Sequence, residues 1–373
     1  MNKSIAFIDL AAQQKRLHSK ITNRINTVLS HGKYIMGPEV SELEKELEIY
    51  TGASHAVTCG NGTDALVLAL MSYNIGPGDI VFCPAFTFPA TAEAIAILGA
   101  TPYFIDVEED TFNISINSLN EAITDIIKDN TYKMKAIIAV DLYGLPANYK
   151  ALKDIAKTNN LKLIADAAQS FGAEYFNKKV GFLADITCIS FFPAKPLGCY
   201  GDGGAIITNN ELIAQKIQSL RVHGKGKSKY EIDYIGLNSR LDTIQAAIIL
   251  AKLEGFDWEF KKRNSIAHNY TKALKEKIST PYIPEGSKSI WAQYTVRHKD
   301  REMIQNDLKS KGIPTMVYYP VPMHLQKAYK KFYRGRLINS EKLAQEVFSL
   351  PMYPDMSNED QEYIVENIIK IIK

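Results

Sequence analysis

A lysine stands where it does little for stability. The run Ser190-Phe191-Phe192-Pro193-Ala194-Lys195-Pro196-Leu197-Gly198 carries Lys195 from an apolar strand, expected over residues 186–192, into a turn rich in Pro and Gly. Gly201-Asp202-Gly203-Gly204 and a second apolar strand at 205–208 follow at once. An amine at the mouth of a buried sheet loses hydration, which lowers its pKa and makes it a nucleophile toward carbonyl carbon. A solvated loop lysine is the plain alternative. Upstream, Ala165-Asp166-Ala167-Ala168-Gln169-Ser170 follows a strand expected over 161–165, which places Asp166 at the carboxyl edge of a sheet, where α/β proteins hold their ligands. A buried acid there wants a cationic partner; capping the next segment is the other use for it. A carboxylate opposite a protonated pyridine nitrogen, with a lysine amine on the ring's aldehyde, is the arrangement that pyridoxal phosphate (PLP) requires.

A third motif, Cys59-Gly60-Asn61-Gly62-Thr63-Asp64-Ala65-Leu66, lies between an apolar stretch at 55–59 and a helical pattern at 65–72. Backbone N–H groups at a helix start, freed by glycine and joined by a hydroxyl, make a seat for a phosphate dianion, with Gly62 and Thr63 as donors. Gly60, Gly62 and Ala65 also read as the G-x-G-x-x-A of a dinucleotide fold, but no acidic ribose ligand on a second strand end follows. A glycine turn capping a helix is a further alternative.

The elements that must position these groups follow from periodicity. Helical period runs over 10–30 and 40–50, after which short β-rich runs at 79–83, 102–107, 136–142 and 161–165 alternate with helices. That alternation implies a mostly parallel sheet with helices on both faces. Residues 242–274 read as a long helix interrupted near Gly255, bridging to a smaller α+β domain with strands expected at 292–297 and 315–319. The expected division is a large domain at 1–250 and a small C-terminal domain at 251–373.

With 373 residues and 46% apolar content the chain can bury a large core. No apolar run approaches the ~20 residues of a membrane span, and residues 1–4 lack the features of a signal peptide, so a cytoplasmic location with no membrane partner is expected. The net charge of +3 is dispersed, which argues against a nucleic-acid partner. Lys225, Lys227 and Lys229 form the exception, read as a solvated loop with an anion contact left open. The four cysteines, Cys59, Cys83, Cys188 and Cys199, lack metal-ligand spacing; no metal is expected, and packing is their default role.

In their order along the chain, GNGTDAL, FTFPATAEAI, ADAAQSFGA, SFFPAKPLGCYGDGGA and GLNSRLDTIQAA resemble the PLP-dependent nucleotide-sugar aminotransferases of the DegT/StrS type. The resemblance runs from Phe7 to Met352, and the lysine stretch is especially similar to the UDP-2-acetamido-2-deoxy-ribo-hexuluronate 3-aminotransferases. It implies the aspartate aminotransferase-like fold (fold type I), a keto-sugar nucleotide and L-glutamate as substrates, and a homodimer with shared active sites. By the same resemblance Lys195 binds PLP covalently and shuttles protons, Asp166 holds the pyridinium, Phe88 stacks on the ring, Gln169 reaches the ring hydroxyl, and Ser190 binds the phosphate. Asn238 corresponds to a residue that reaches the phosphate of the neighbouring subunit, though capping a helix would also suit it. His223, Tyr318 and Tyr319 match sugar-side positions. Arg240 is a candidate for the substrate because a guanidinium pairs bidentately with carboxylate or phosphate.

One departure bears on the substrate. Tyr318 stands before Tyr319-Pro320 where the hexuluronate enzymes typically carry histidine, and a phenol offers no positive charge at neutral pH. Aminotransfer to a neutral 3- or 4-keto-6-deoxy sugar nucleotide is therefore the alternative within the family. A dinucleotide-dependent sugar oxidoreductase is the alternative from another class.

Overall fold

Short apolar runs too buried to alternate, six consecutive buried residues in one of them, fold into the sheet that carries the site, as parallel strands covered on both faces do. The computed structural model describes residues 5–129, 133–228 and 230–372; residues 1–4 and Lys229 lie outside them. The first strands are β1 (His55–Cys59), β2 (Asp79–Pro84), β3 (Thr101–Ile105), β4 (Lys133–Val140) and β5 (Lys162–Asp166). After a small hairpin, β6 (Glu174–Tyr175) and β7 (Lys178–Lys179), come β8 (Ile186–Ser190) and β9 (Gly204–Thr208). The main sheet has seven strands in the order β1-β9-β8-β5-β4-β2-β3, and only β9 runs against the rest. Asp166 is the last residue of β5, in register with Val140 of β4 and Cys188 of β8.

Helices cover both faces. Their starts and stops are chemically marked. α1 (Leu10–His31) begins where Asp9 accepts the Ala12 N–H at 2.8 Å and ends at Gly32 in the left-handed region; α2 (Pro38–Thr51) has Pro38 at its first position and Gly52 at its end. α3 (Gly62–Ser72), α4 (Pro89–Ile97) and, further on, α7 (Glu211–Leu220) pack one face around Leu68, Ile95, Ile138 and Ile217. The other face joins α2, α5 (Ile116–Asp129), α6 (Tyr149–Thr158) and α8 (Thr243–Leu253) around Leu43, Phe82, Phe171 and Ile249.

The C-terminal part has its own core, Tyr270, Tyr294, Phe348 and Ile364 among others, to which Ile5 returns. It is built from α9 (Phe256–Leu274), the short strand β10 (Ser287–Lys288), the antiparallel pair β11 (Tyr294–Arg297) and β12 (Val347–Leu350), α10 (Arg301–Ser310), α11 (Ile338–Glu346) and α12 (Asn358–Ile371). The helix expected over 242–274 does break at Gly255, so the boundary expected at 250/251 falls inside α8, a few residues ahead of the break. The strand expected at 315–319 is absent. Met316 makes a single bridge to Ser349, and Pro314, Pro320 and Pro322 withhold the N–H groups a longer ladder would need. No helix of the described residues is long and apolar enough to cross a membrane.

Phe256, just past the break, is 1% exposed and lies 5.5 Å from Phe171 and 5.8 Å from Tyr50, ring centre to ring centre, so it ties α9 to the core of the main sheet. Phe256→Ala is expected to cost about 3–5 kcal/mol of unfolding free energy, measured by denaturant titration of the purified protein.

Candidate active site

The phosphate seat forms where β1 hands over to α3. Asn61 caps the helix by accepting the Asp64 N–H at 2.8 Å, which leaves the Gly62 and Thr63 N–H groups, at a partly exposed helix start, for an anion. A Cβ on Gly62 would lie 2.7 Å from the Ser190 Cβ, so the glycine lets the end of β8 close on the helix start. Gly62, Thr63 and Ser190 are thus brought together as expected. The Ser239 hydroxyl accepts the Gly60 N–H at 2.9 Å and draws residues 238–240 beside the same loop.

Asp166 at the carboxyl edge of the sheet and Lys195 lie near enough to feel each other's charge. Asp166, 6% exposed, accepts hydrogen bonds from the Thr91 hydroxyl at 2.7 Å and the Ala168 N–H at 3.3 Å. Burial raises its carboxyl above the ordinary aspartate value, while Thr91, Ala168 and the charge of Lys195 pull it back. Burial likewise lowers the Lys195 ammonium, with Asp166 opposing. The Lys195 amine is thus desolvated and feels the charge of the Asp166 carboxylate.

Phe88, the residue just before α4, is 54% exposed, so its ring is not a core side chain. Its ring lies 6.1 Å from Tyr319, delivered from the C-terminal part. Tyr319 accepts from the Gln169 side-chain amide at 3.2 Å, and the Gln169 carbonyl oxygen accepts the Tyr143 N–H at 2.7 Å. Gln169 is aimed by two partners. Tyr318 reaches the same side through its carbonyl, which accepts from the Tyr143 hydroxyl.

Asn238 does not cap a helix: α8 starts at Thr243, and Asn238 is exposed, in a single bridge with Val222. Arg240 is half-buried and has no ion-pair partner among the described residues. His223 is exposed with a φ of 62°, on a loop where Lys225 and Lys227 are also exposed. No group of metal-ligating side chains occurs among the described residues.

Thr91, Asn61 and Ser239 were missed from the sequence. Thr91 had a signal: it stands four residues after Thr87, one helical turn, and the two hydroxyls lie 2.9 Å apart in an otherwise apolar run. The residues present fit PLP. A glycine cradle faces Ser190, a desolvated amine faces a buried acid, and an exposed phenyl ring stands by. Thr91→Val removes a hydrogen bond to a charged acceptor, so PLP affinity in absorbance titrations of the apo-protein is expected to fall roughly tenfold, with the melting temperature lowered by only a few degrees.

Comparison with known proteins bears on the whole chain. A UDP-2-acetamido-2-deoxy-3-oxo-D-glucuronate aminotransferase of Pseudomonas aeruginosa is 46% identical over 94% of this chain and 95% of its own. A pleiotropic regulatory protein of Geobacillus stearothermophilus is 42% identical over 99% of both chains. A crystal structure of an aminotransferase from Brucella abortus superposes with a TM-score of 0.97 at 45% identity, covering 99% of each chain. The family model for the DegT/DnrJ/EryC1/StrS aminotransferases matches residues 15–369, and the chain belongs to that family.

Proposed function

We propose that the protein transfers the amino group of L-glutamate to C3 of a UDP-linked 2-acetamido-3-keto-hexuronic acid, in the cytoplasm, as a homodimer with shared sites, for a surface polysaccharide. The desolvated Lys195 facing buried Asp166 carries the reaction type. The substrate is supported by the 46% identity to an enzyme named for the 3-oxo-glucuronate and by a guanidinium, Arg240, without an ion-pair partner among the described residues. The four buried free cysteines suit a reducing compartment.

PLP, the cofactor of this family, supplies an aldehyde for amine exchange and a ring that takes up electrons once its nitrogen is protonated. The chain's own groups do the rest. Asp166 holds the proton on the ring nitrogen, which its burial makes a strong interaction. The Lys195 Nζ would take the proton from the donor's α-carbon as general base. Gly62, Thr63 and Ser190 would seat the phosphate, Phe88 would cover one ring face, and Gln169, oriented by Tyr143 and Tyr319, would address the ring hydroxyl.

The dimer is supported by an apolar arm. The described residues of the loop between Gly224 and Gly236, closed at its base by the Asp233 N–H donating to the Gly224 carbonyl at 2.8 Å, expose Tyr230, Ile232 and Ile235 by 86%, 57% and 92%. So much exposed apolar surface on one loop suits a partner chain. Asn238 at its root would reach the neighbour's phosphate seat. Mixing Lys195→Ala with Asn238→Ala subunits gives a heterodimer with one site carrying both lesions and one carrying neither. Such a mixture should recover activity that neither variant shows alone; activity equal to the mean of the two separate proteins would rule out shared sites.

Tyr318 favours a second substrate, a neutral 3- or 4-keto-6-deoxy sugar nucleotide, because it brings no charge to that side of the site. Mass spectrometry of products from a panel of keto-sugar nucleotides decides between them. Arg240→Ala should lower the specificity constant for the uronate roughly tenfold to a hundredfold and spare the neutral sugar. Equal losses on both, or a wild-type preference for the neutral sugar, would move the assignment to the deoxy-sugar substrate.

A further inference from the structure

A second carboxylate lies beside Asp166, immediately after β4. Asp141 is 0% exposed and no lysine, arginine or histidine neutralises it among the described residues. Three neutral donors hold it instead. Its Oδ1 accepts from the Ala147 N–H and the Tyr149 hydroxyl, each at 2.8 Å, and its Oδ2 accepts from the Ser170 hydroxyl at 2.6 Å. Its own N–H donates to the Asp166 carbonyl at 3.1 Å. Burial pushes the Asp141 carboxyl up to about 7; the three donors oppose that, and the charge of Asp166 adds to it. An apolar side chain would fill the space without this desolvation cost, so what the carboxylate contributes is geometry.

That geometry bears on the turn after β5. The Ser170 N–H donates to the Ala167 carbonyl at 3.1 Å and the Ala168 N–H to Asp166 Oδ1, so residues 166–170 form one tight unit. The segment from Asp141 to Tyr143 grips the unit at three points: the Asp166 carbonyl, the Ser170 hydroxyl and the Gln169 side chain. We propose that Asp141 is a positioning residue which, through Ser170 and its own amide, sets the aim of Asp166 and Gln169 on the cofactor ring. The proposal rests on Asp166 being the partner of the ring nitrogen.

The test compares Ser170→Ala, Asp141→Asn and the double variant with Asp166→Asn, all as PLP-loaded enzymes and as apo-proteins titrated with PLP. Ser170→Ala, the mildest change and the one surest to fold, should lower kcat roughly tenfold with KM for both substrates within about twofold, displace the absorbance maximum of the bound cofactor, and weaken PLP binding to the apo-protein. The double variant should lose no more than the worse single one, because both break the same contact. A Ser170→Ala enzyme with a lowered melting temperature but wild-type kcat per bound PLP and a wild-type spectrum would overturn the proposal and leave Asp141 a stability residue. An Asp166→Asn enzyme with unchanged spectrum and kcat would overturn the reading of Asp166, and the proposal with it.

Discussion

An ammonium and a carboxylate withdrawn from water at one edge of a sheet, Lys195 and Asp166, make the bargain on which the rest of the molecule depends. Burial works against both charges and each charge works for the other. An isolated buried ion shifts its pKa toward the neutral form, and each of these charges opposes that shift in the other. The sheet supplies the spacing. Asp166 ends β5 opposite Cys188, two residues short of the end of β8, and the chain beyond β8 turns back over the same edge with the lysine on it.

Around that pair the supports are layered. Thr91 from the head of α4 steadies one carboxylate oxygen and the turn's own backbone the other. Tyr143 and Tyr319 hold the two ends of the Gln169 amide, so a residue from the C-terminal part joins the site through a side chain fixed by the large sheet. The same logic shapes the phosphate seat, where Asn61 takes one helix N–H so that its neighbours stay free. These polar groups serve mainly to aim others. The bulk of the stability comes from the two apolar layers on either side of the sheet and the third cluster behind α9.

Periodicity and strand-end chemistry were legible in the sequence because they are local. The break at Gly255, the strand ending in Asp166 and the glycine start of α3 all stood where residue types placed them. The 315–319 segment misled because its residues suit a strand while the three prolines around it limit the pairing with β12 to the single Met316–Ser349 bridge. Asn238 resembles a helix cap until the structure shows that α8 begins five residues later. Asp141 carried the signal that revealed Asp166, an acid closing an apolar strand, but its role depends on Ser170, 29 residues away, and no local pattern announces that contact.

The one reversed strand, β9, has a consequence for how this chain can vary. Because β9 pairs antiparallel with β8, the lysine-bearing segment is the connection of a hairpin, latched where the Phe191 N–H meets the Gly203 carbonyl at 2.8 Å and the Cys199 N–H meets the Phe191 carbonyl at 2.8 Å. Inside the connection the Lys195 N–H bonds the Phe192 carbonyl, also at 2.8 Å. The backbone position of Lys195 is therefore set by main-chain bonds, and by Gly198, where a Cβ would lie 2.5 Å from the Pro193 carbonyl oxygen. Phe192, exposed in the connection, can therefore change with little effect on that latch, whereas the glycines within it cannot.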